Sequence, residues 1–215
     1  MFTGIVQAML PVTSLETKPG LITLGVPMLP TLGENLQIGA SVAVDGVCLT
    51  VSRMEGELAF FDAMAETLRK TTLGQLKEGH QVNVERSMKA GDEIGGHIVS
   101  GHVKGTAEIV HVETSENNHA VTFQTAPENM KYIFSKGFIA LDGCSLTIVD
   151  VDKDKAQFSI WLIPETLRVT TFGYKGVGDF VNLEIEAKTQ AIVDTVENVL
   201  GDRLKDMVHE IIKNA

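Results

Sequence analysis

Cys48 is the residue of this sequence best equipped for direct chemistry, because a thiolate attacks electron-poor carbon and a thiol polarises a neighbouring bond. Two histidines five residues apart, His97 and His102, close the glycine-rich stretch Gly95-Gly96-His97-Ile98-Val99-Ser100-Gly101-His102. Imidazole changes charge near neutral pH, so a His on such backbone can contact a ligand or shuttle a proton. Ser145 and Thr147 add hydroxyls, Lys136 a cation and Glu186 a carboxylate, although a lone lysine or carboxylate is most often only solvated. A metal site would want further ligands at suitable spacing, and none stands near the histidines. Cys48 and Cys144 make neither a CxxC pair nor part of a zinc quartet.

The chain around these groups is ordinary in composition. It has 215 residues, 44% hydrophobic and 21% charged, and a formal net charge of −10 from 18 basic and 28 acidic side chains. That length allows one or two compact domains, each with its own core. The acidic balance argues against a surface built to coat nucleic acid. No apolar run approaches the roughly 20 residues of a membrane span. The N-terminus has no basic residue before Lys18, which does not fit a secretory signal, and reads as entering a strand directly. Nothing requires an oxidising compartment, so a cytoplasmic protein is expected.

An internal repeat organises the whole sequence. Val42 to Val51 aligns with Ile139 to Ile148 at an offset of 97, with five of ten pairs identical. Downstream the offset becomes 99. From Ala65 to Glu85 eleven of 21 positions agree, including Glu66-Thr67-Leu68-Arg69 with Glu165-Thr166-Leu167-Arg168 and Val82-Asn83-x-Glu85 with Val181-Asn182-x-Glu184. Upstream, Gly4 and Val6 pair with Gly101 and Val103. The pattern is a duplicated domain, 1–97 and 98–187, followed by a distinct segment, 188–215.

Each copy reads as β-structure: Gly4–Ala8, Ile22–Val26, Ser41–Val44, Val47–Ser52, Leu58–Asp62 and Gln81–Glu85 are short runs rich in β-formers, bounded by turn residues. Such runs predict a small barrel or sandwich. Asp45-Gly46 and Asp142-Gly143 are favoured two-residue hairpin turns. Pro127–Ser135 reads as a short helix. From about Thr189 to Ile212 the apolar residues Ile192, Val196, Val199, Leu200, Leu204, Met207, Val208, Ile211 and Ile212 recur at the helical period. That helix is longer than one small barrel, so its stripe is read as an oligomerisation face.

Strand parity locates the chemistry. After the first turn, Val47, Leu49 and Val51 share one face while Cys48, Thr50 and Ser52 share the other. In the second copy Cys144, Leu146 and Ile148 lie opposite Ser145, Thr147 and Val149. The apolar sets must be the cores. Cys48 and its counterpart Ser145 therefore point away from their own barrels and need another surface to close over them. Cys144 matches Val47 and reads as a buried small hydrophobe.

Together these motifs resemble the riboflavin synthase family, alpha-chain type, over essentially the whole length. They are Met1-Phe2-Thr3-Gly4-Ile5-Val6-Gln7, Gly46-Val47-Cys48-Leu49-Thr50-Val51, Glu66-Thr67-Leu68-Arg69, Asp92-Glu93-Ile94-Gly95-Gly96-His97, Ser100-Gly101-His102-Val103, Lys136-Gly137-Phe138, Asp142-Gly143-Cys144-Ser145-Leu146-Thr147 and Ile163-Pro164-Glu165-Thr166-Leu167. The resemblance implies a mainly β protein: two tandem six-stranded Greek-key barrels and a C-terminal helix that joins three subunits. It implies a site between the N-terminal barrel of one subunit and the C-terminal barrel of a neighbour. The implied reaction is a transfer between two molecules of 6,7-dimethyl-8-ribityllumazine, giving riboflavin and 5-amino-6-ribitylaminouracil, with no metal or organic cofactor. Association with lumazine synthase is left open.

Carried over by position, the resemblance places Gly4, Ile5, Val6, Cys48, Leu49, Thr50 and the run Asp62, Ala63, Met64, Ala65, Glu66, Thr67 in an N-terminal-barrel pocket. It places Gly101, His102, Val103, Lys136, Ser145, Leu146, Thr147 and the run Ile163, Pro164, Glu165, Thr166, Leu167, Arg168 in a C-terminal one. Ser41 and Cys48 are expected near the attacked carbon; His102, Thr147 and Ser145 are expected near the methyl proton. Glu186 stands where the family often has Asp, and the extra methylene would displace a directly acting carboxylate by about 1 Å. Two other readings compete. Lumazine protein, a non-catalytic antenna, resembles this chain but loses matching residues in one half and lacks the helix. The flavin-binding barrel of ferredoxin-reductase-like enzymes would need an Arg-x-Tyr-Ser/Thr motif and a nucleotide-binding domain, and the sequence has neither.

Overall fold

The computed structural model describes residues 1–115 and 119–213, with the side chains of the last helix described as far as Gly201. The first half contains β1 (Ala8–Pro11), β2 (Ser14–Lys18), β3 (Leu21–Pro27), a short helix α1 (Pro30–Gly33), β4 (Ser41–Val44), β5 (Val47–Glu55), β6 (Leu58–Met64), the helix α2 (Ala65–Lys70) and β7 (Gln81–Arg86). The second half repeats the pattern with β8 (Gly105–Thr114), β9 (His119–Gln124), β10 (Phe138–Leu141), β11 (Cys144–Asp152), β12 (Gln157–Leu162), the helix α3 (Pro164–Val169) and β13 (Phe180–Ile185). A long helix, α4 (Ala187–Lys213), ends the described chain.

In the second half, six antiparallel strands close a barrel in the order β10-β11-β12-β9-β8-β13. The first half has the order β1-β7-β4-β5-β6-β3-β2. Its end strands β1 and β2 are two parts of one path, bent at Val12-Thr13. Across the bend the Val12 N–H donates to His80 O beside β7, and the Thr13 N–H donates to Gly25 O on β3. The counterpart β8 passes the same point unbroken, with a register shift between Ile109 and His111. Pro11 lacks an N–H and favours the break in the first copy. Both barrels fill with apolar side chains, and both Asp-Gly hairpins take the left-handed backbone of a primed turn: φ is 45° and 76° at Asp45-Gly46 and 45° and 81° at Asp142-Gly143.

Several expectations are corrected. Residues 4–7 form no strand; the chain starts with a single bridge between Phe2 and Val99, and β1 begins only at Ala8. The run at Ser14–Lys18 is a strand that its alternating charges concealed. Pro127–Tyr132 is a 3-10 turn and not an α-helix. The last helix starts two residues earlier than Thr189. Its first turns lie on the second barrel: Val193 packs on that core, the Tyr132 hydroxyl donates to Asp194, and Lys131 pairs with Asp194 and Glu197. Ile192, Val196, Val199 and Leu200 are exposed. The side chains of Leu204, Met207, Val208, Ile211 and Ile212 lie outside what the structure describes.

The barrels meet about a pseudo-twofold axis. The backbones at Gly46 and Gly143 touch there: a Cβ built on Gly46 would fall 2.4 Å from the Gly143 nitrogen. Asn83 Nδ2 donates to Asp142 O (3.0 Å) and its Oδ1 accepts from the Thr171 N–H (2.8 Å). Asn182 mirrors this, donating to Asp45 O and accepting from the Thr72 N–H, both at 2.8 Å. The aspartates in turn accept from the Asn83 and Asn182 N–H groups. The repeated Val-Asn segments are thus the seam of the molecule.

One charge breaks the symmetry. Lys175 Nζ pairs with Asp142 Oδ2, whereas the position equivalent to Lys175 in the first copy is Leu76. Burial, and then the negative charge of Asp142, push the Asp45 carboxyl up to about 7, against the opposing pull of Lys175. The folded protein therefore keeps a proton on Asp45 that the unfolded chain releases near the ordinary carboxylate range. Stability is expected to fall as pH rises from about 4 to about 7 and to level off above. Replacing Asp45 with Asn should flatten that slope by on the order of 10 °C in Tm, read by thermal unfolding of both proteins at pH 4.5 and 7.5.

Candidate active site

On β5 the buried residues are Val47, Leu49 and Val51, while Cys48 is half-buried and Thr50 and Ser52 are exposed. On β11, Cys144, Leu146 and Ile148 are buried, and Ser145 and Thr147 face out. The alternation places the thiol of Cys48 and the hydroxyl of Ser145 on outer walls, as parity requires. Register extends each wall across the strands. In the first barrel Ser41 lies opposite Thr50, and Asp62 lies opposite Thr23, whose hydroxyl donates to it at 2.6 Å. In the second, Phe138 lies opposite Thr147, and the Ile148–Ile160 pair puts Trp161 on the other side of Thr147.

A glycine from each N-terminal arm closes over each wall. The Cys48 N–H donates to Gly101 O (3.0 Å), and the Ser145 N–H donates to Gly4 O (2.8 Å). Both glycines have left-handed backbone, φ +82° and +74°, and a Cβ there would fall 2.4 Å from Cys48 Cβ or 2.5 Å from Ser145 Cβ. No other residue fits these positions. Their N–H groups are held by the buried glutamates of the repeat: Glu184 accepts from Gly101 and Ser100, and Glu85 accepts from Gly4 and Thr3. Each arm is therefore bonded to the strand glutamate of its own barrel and laid against the wall of the other.

This exchanges two expected groups. Gly4, Ile5 and Val6 do not line the wall that carries Cys48: Gly4 caps Ser145, and Val6 packs on the second core. Gly101, His102 and Val103 go to the first barrel, where Val103 packs on that core. Within one chain His102 follows the glycine that covers Cys48, on the other lobe's wall from Ser145 and Thr147. The histidine on Ser145 is His97, whose Nδ1 lies 2.7 Å from Ser145 Oγ and whose backbone N–H donates to the same oxygen at 3.2 Å. The His97 ring stacks on Phe138 with centroids 5.3 Å apart, and its Nε2 is buried with no partner among the described residues. Burial pushes its pKa down, opposed by the charges of Glu186 and Glu184. A neutral imidazole at physiological pH can pass a proton to or from the serine hydroxyl.

The remaining candidates fall into place around these two walls. Glu186 follows β13 beside Phe138 and accepts from the Thr189 hydroxyl at 2.6 Å, which ties the start of α4 to this wall. Lys136 is exposed and left-handed (φ 67°), in the place of Gly39 (φ 89°). Their N–H groups donate to the equivalent carbonyls of Ile148 and Val51. Glycine adopts this backbone more cheaply than lysine does. Met64 and Ile163 precede α2 and α3 in equivalent places. The Asp62–Thr67 segment thus corresponds to Trp161–Thr166, and Trp161 and Leu162 were missed because the assigned run began at Ile163. Glu165 pairs with Arg168 just as Glu66 pairs with Arg69, on the solvent side. The shared Glu-Thr-Leu-Arg is in that respect a helix-surface feature.

The lumazine binding domain family matches the chain twice, over residues 3–87 and 100–186. Riboflavin synthase of Escherichia coli strain K12 is 50% identical over 204 residues, covering 94% of this chain and 95% of the relative. Riboflavin synthase of Chlamydia pneumoniae is 47% identical over 206 residues, covering 96% and 100%. Among solved structures, LumP complexed with 6,7-dimethyl-8-(1'-D-ribityl) lumazine superposes with a TM-score of 0.78 at 25% identity, over 86% of this chain and 99% of that one. LumP complexed with riboflavin gives 0.78 at 26%, over 86% and 100%.

The two thiols offer a direct check on the walls. An alkylating agent should modify Cys48 in the folded protein and leave the buried Cys144 untouched until the protein unfolds, as read by peptide mass analysis. Cys48→Ala should then reduce turnover far more than Cys144→Val. Equal labelling or equal losses would contradict the assignment.

Proposed function

This chain belongs to the riboflavin synthase family, and we propose that it catalyses a four-carbon transfer between two molecules of 6,7-dimethyl-8-ribityllumazine. Such a transferase yields riboflavin and 5-amino-6-ribitylaminouracil. Two identical molecules divide into these products with no atom gained or lost, so the reaction needs no oxidant and no second substrate. The observation that carries the reading is the pair of equivalent outer walls, each capped by a left-handed glycine from the crossing arms. Two similar pockets suit two copies of one ring system.

The pockets differ where the two substrates must play different parts. Cys48, Ser41, Thr50, Asp62 and His102 belong to the first, and we assign Cys48 to attack or polarise the ring carbon. Ser145, Thr147, His97, Lys136 and Glu186 belong to the second, and we assign the Ser145–His97 pair to the proton of the 7-methyl group. We assign backbone groups within residues 48–50, 62–67, 145–147 and 161–166 to hydrogen-bond the pyrimidine edges. The lobes 1–97 and 98–187 each carry one pocket. Among the described residues no hydrogen bond joins the two walls within a chain. That supports a shared site formed with a neighbouring subunit and a homotrimer held by the 188–215 segment, whose exposed Ile192, Val196, Val199 and Leu200 invite cover. The two free cysteines suit the reducing cytoplasm.

Incubated anaerobically with the lumazine alone, the protein should form riboflavin and the pyrimidine in equal amounts, followed by absorbance and mass spectrometry. Tight binding without turnover would instead favour an antenna. A chain ending before Thr189 should stay folded but sediment as dissociated subunits with little activity; an unchanged oligomer would refute the role of the helix.

A further inference from the structure

The outer walls of the two barrels are built on the same rows, yet they present opposite chemistry. The row on the first barrel runs Ser41, Thr50, Asp62, Thr23, all polar. At the equivalent positions the second barrel runs Phe138, Thr147, Trp161, Ala120. Phe138 is 45% exposed and Trp161 57%, so two large aromatics flank one exposed threonine on the outer face of the sheet.

The asymmetry continues past Trp161. In the first barrel the wall beyond Asp62 is filled, because the Arg53 guanidinium lies 3.8 Å from the centroid of the Phe60 ring and is held there by Glu16 and Glu55. The repeat replaces Arg53 by Asp150 and Phe60 by Ser159. Both are short, and their place is taken by a groove of about 330 Å³ lined by His111, Glu113, Thr122, Asp150, Ser159 and Trp161. Its floor offers hydroxyls, carboxylates and an imidazole, which suits a ligand with several hydroxyl groups. Its rim is the exposed indole, which suits a flat electron-poor ring. A heterocycle bearing a polyhydroxylated chain has both parts.

We propose that the second barrel holds its heterocycle on the Phe138–Trp161 ledge and lays the hydroxylated chain in the groove behind Trp161, a subsite that the first barrel does not possess. The inference rests on the functional reading above and makes the two pockets unequal in kind: one grips by an aromatic face and a polyol groove, the other presents a polar row at the same positions. A heterocycle gains affinity by stacking on an aromatic side chain, so the loss of Trp161 should be visible in one site only.

The test uses riboflavin, and lumichrome as the same ring without the chain, in calorimetric titrations of the full-length protein. Trp161→Ala should weaken one of the two riboflavin sites by about tenfold, leave the other unchanged, and weaken lumichrome at the same site. Trp161→Phe should restore most of the loss. Ser159→Phe, which gives the groove the residue of the first barrel, should weaken riboflavin at that site and spare lumichrome. Unchanged affinities in Trp161→Ala, or equal losses of both ligands in Ser159→Phe, would overturn the proposal. So would dissociation of the oligomer in Trp161→Ala, because the indole would then be a subunit contact. If the wild-type protein binds neither ligand, the functional reading fails and this inference falls with it.

Discussion

The molecule depends on two glycine backbones being pressed between two barrels. Gly4 and Gly101 each donate an N–H to a buried glutamate of one barrel and offer a carbonyl to the outer wall of the other. Nothing larger than hydrogen fits at either Cα, and both need φ above zero. A side chain there would push the wall away, and with it the relation between the arm and Cys48 or Ser145. The asparagine lattice about Gly46 and Gly143 sets the distance between the barrels, and the crossing arms use that distance to cover the reactive walls. Site and seam are one construction.

Much of this was legible in the sequence because of two simple periods. The repeat defines two equivalent lobes, and the alternation along Val47–Val51 and Cys144–Ile148 separates core from wall without further knowledge. The four wall residues Cys48, Thr50, Ser145 and Thr147 follow from parity alone. The exchange of arms did not. Aligning Gly4 with Gly101 says that the two positions are equivalent, but it is silent on which lobe each lies against, since both arrangements satisfy the same local pattern. The signal available was the recurrence of Glu85 as Glu184 in the second copy, buried carboxylates that must bind N–H groups from somewhere. Trp161 was missed for a different reason. The hairpin from β11 to β12 holds two residues more than its counterpart, so the offset changes from 97 to 99 within the wall itself.

The departures from symmetry are as informative as the symmetry. Where the copies agree, as at Asn83 and Asn182 or Glu66-Arg69 and Glu165-Arg168, the residues hold backbone, seams and helix surfaces. Several of the differences fall on a wall: Cys48 against Ser145, Ser41 against Phe138, Asp62 against Trp161, and Gly39 against Lys136. Duplication supplied two similar frames, and these wall positions do not carry the seam. Lys175 and Leu76 differ at the seam itself. There a single cation serves two buried carboxylates, and the surplus is met by a proton on Asp45.

The crossed arms also bear on how the chain is made. Gly4 leaves the ribosome 141 residues before Ser145, the partner of its carbonyl. At about 5–20 residues per second, that interval lasts on the order of ten seconds. During it the first barrel can close its own sheet and hold the arm through Glu85, while the Cys48 wall waits for residue 101 to arrive. The Gly4 carbonyl thus gains its partner only once the wall of the second barrel has been made.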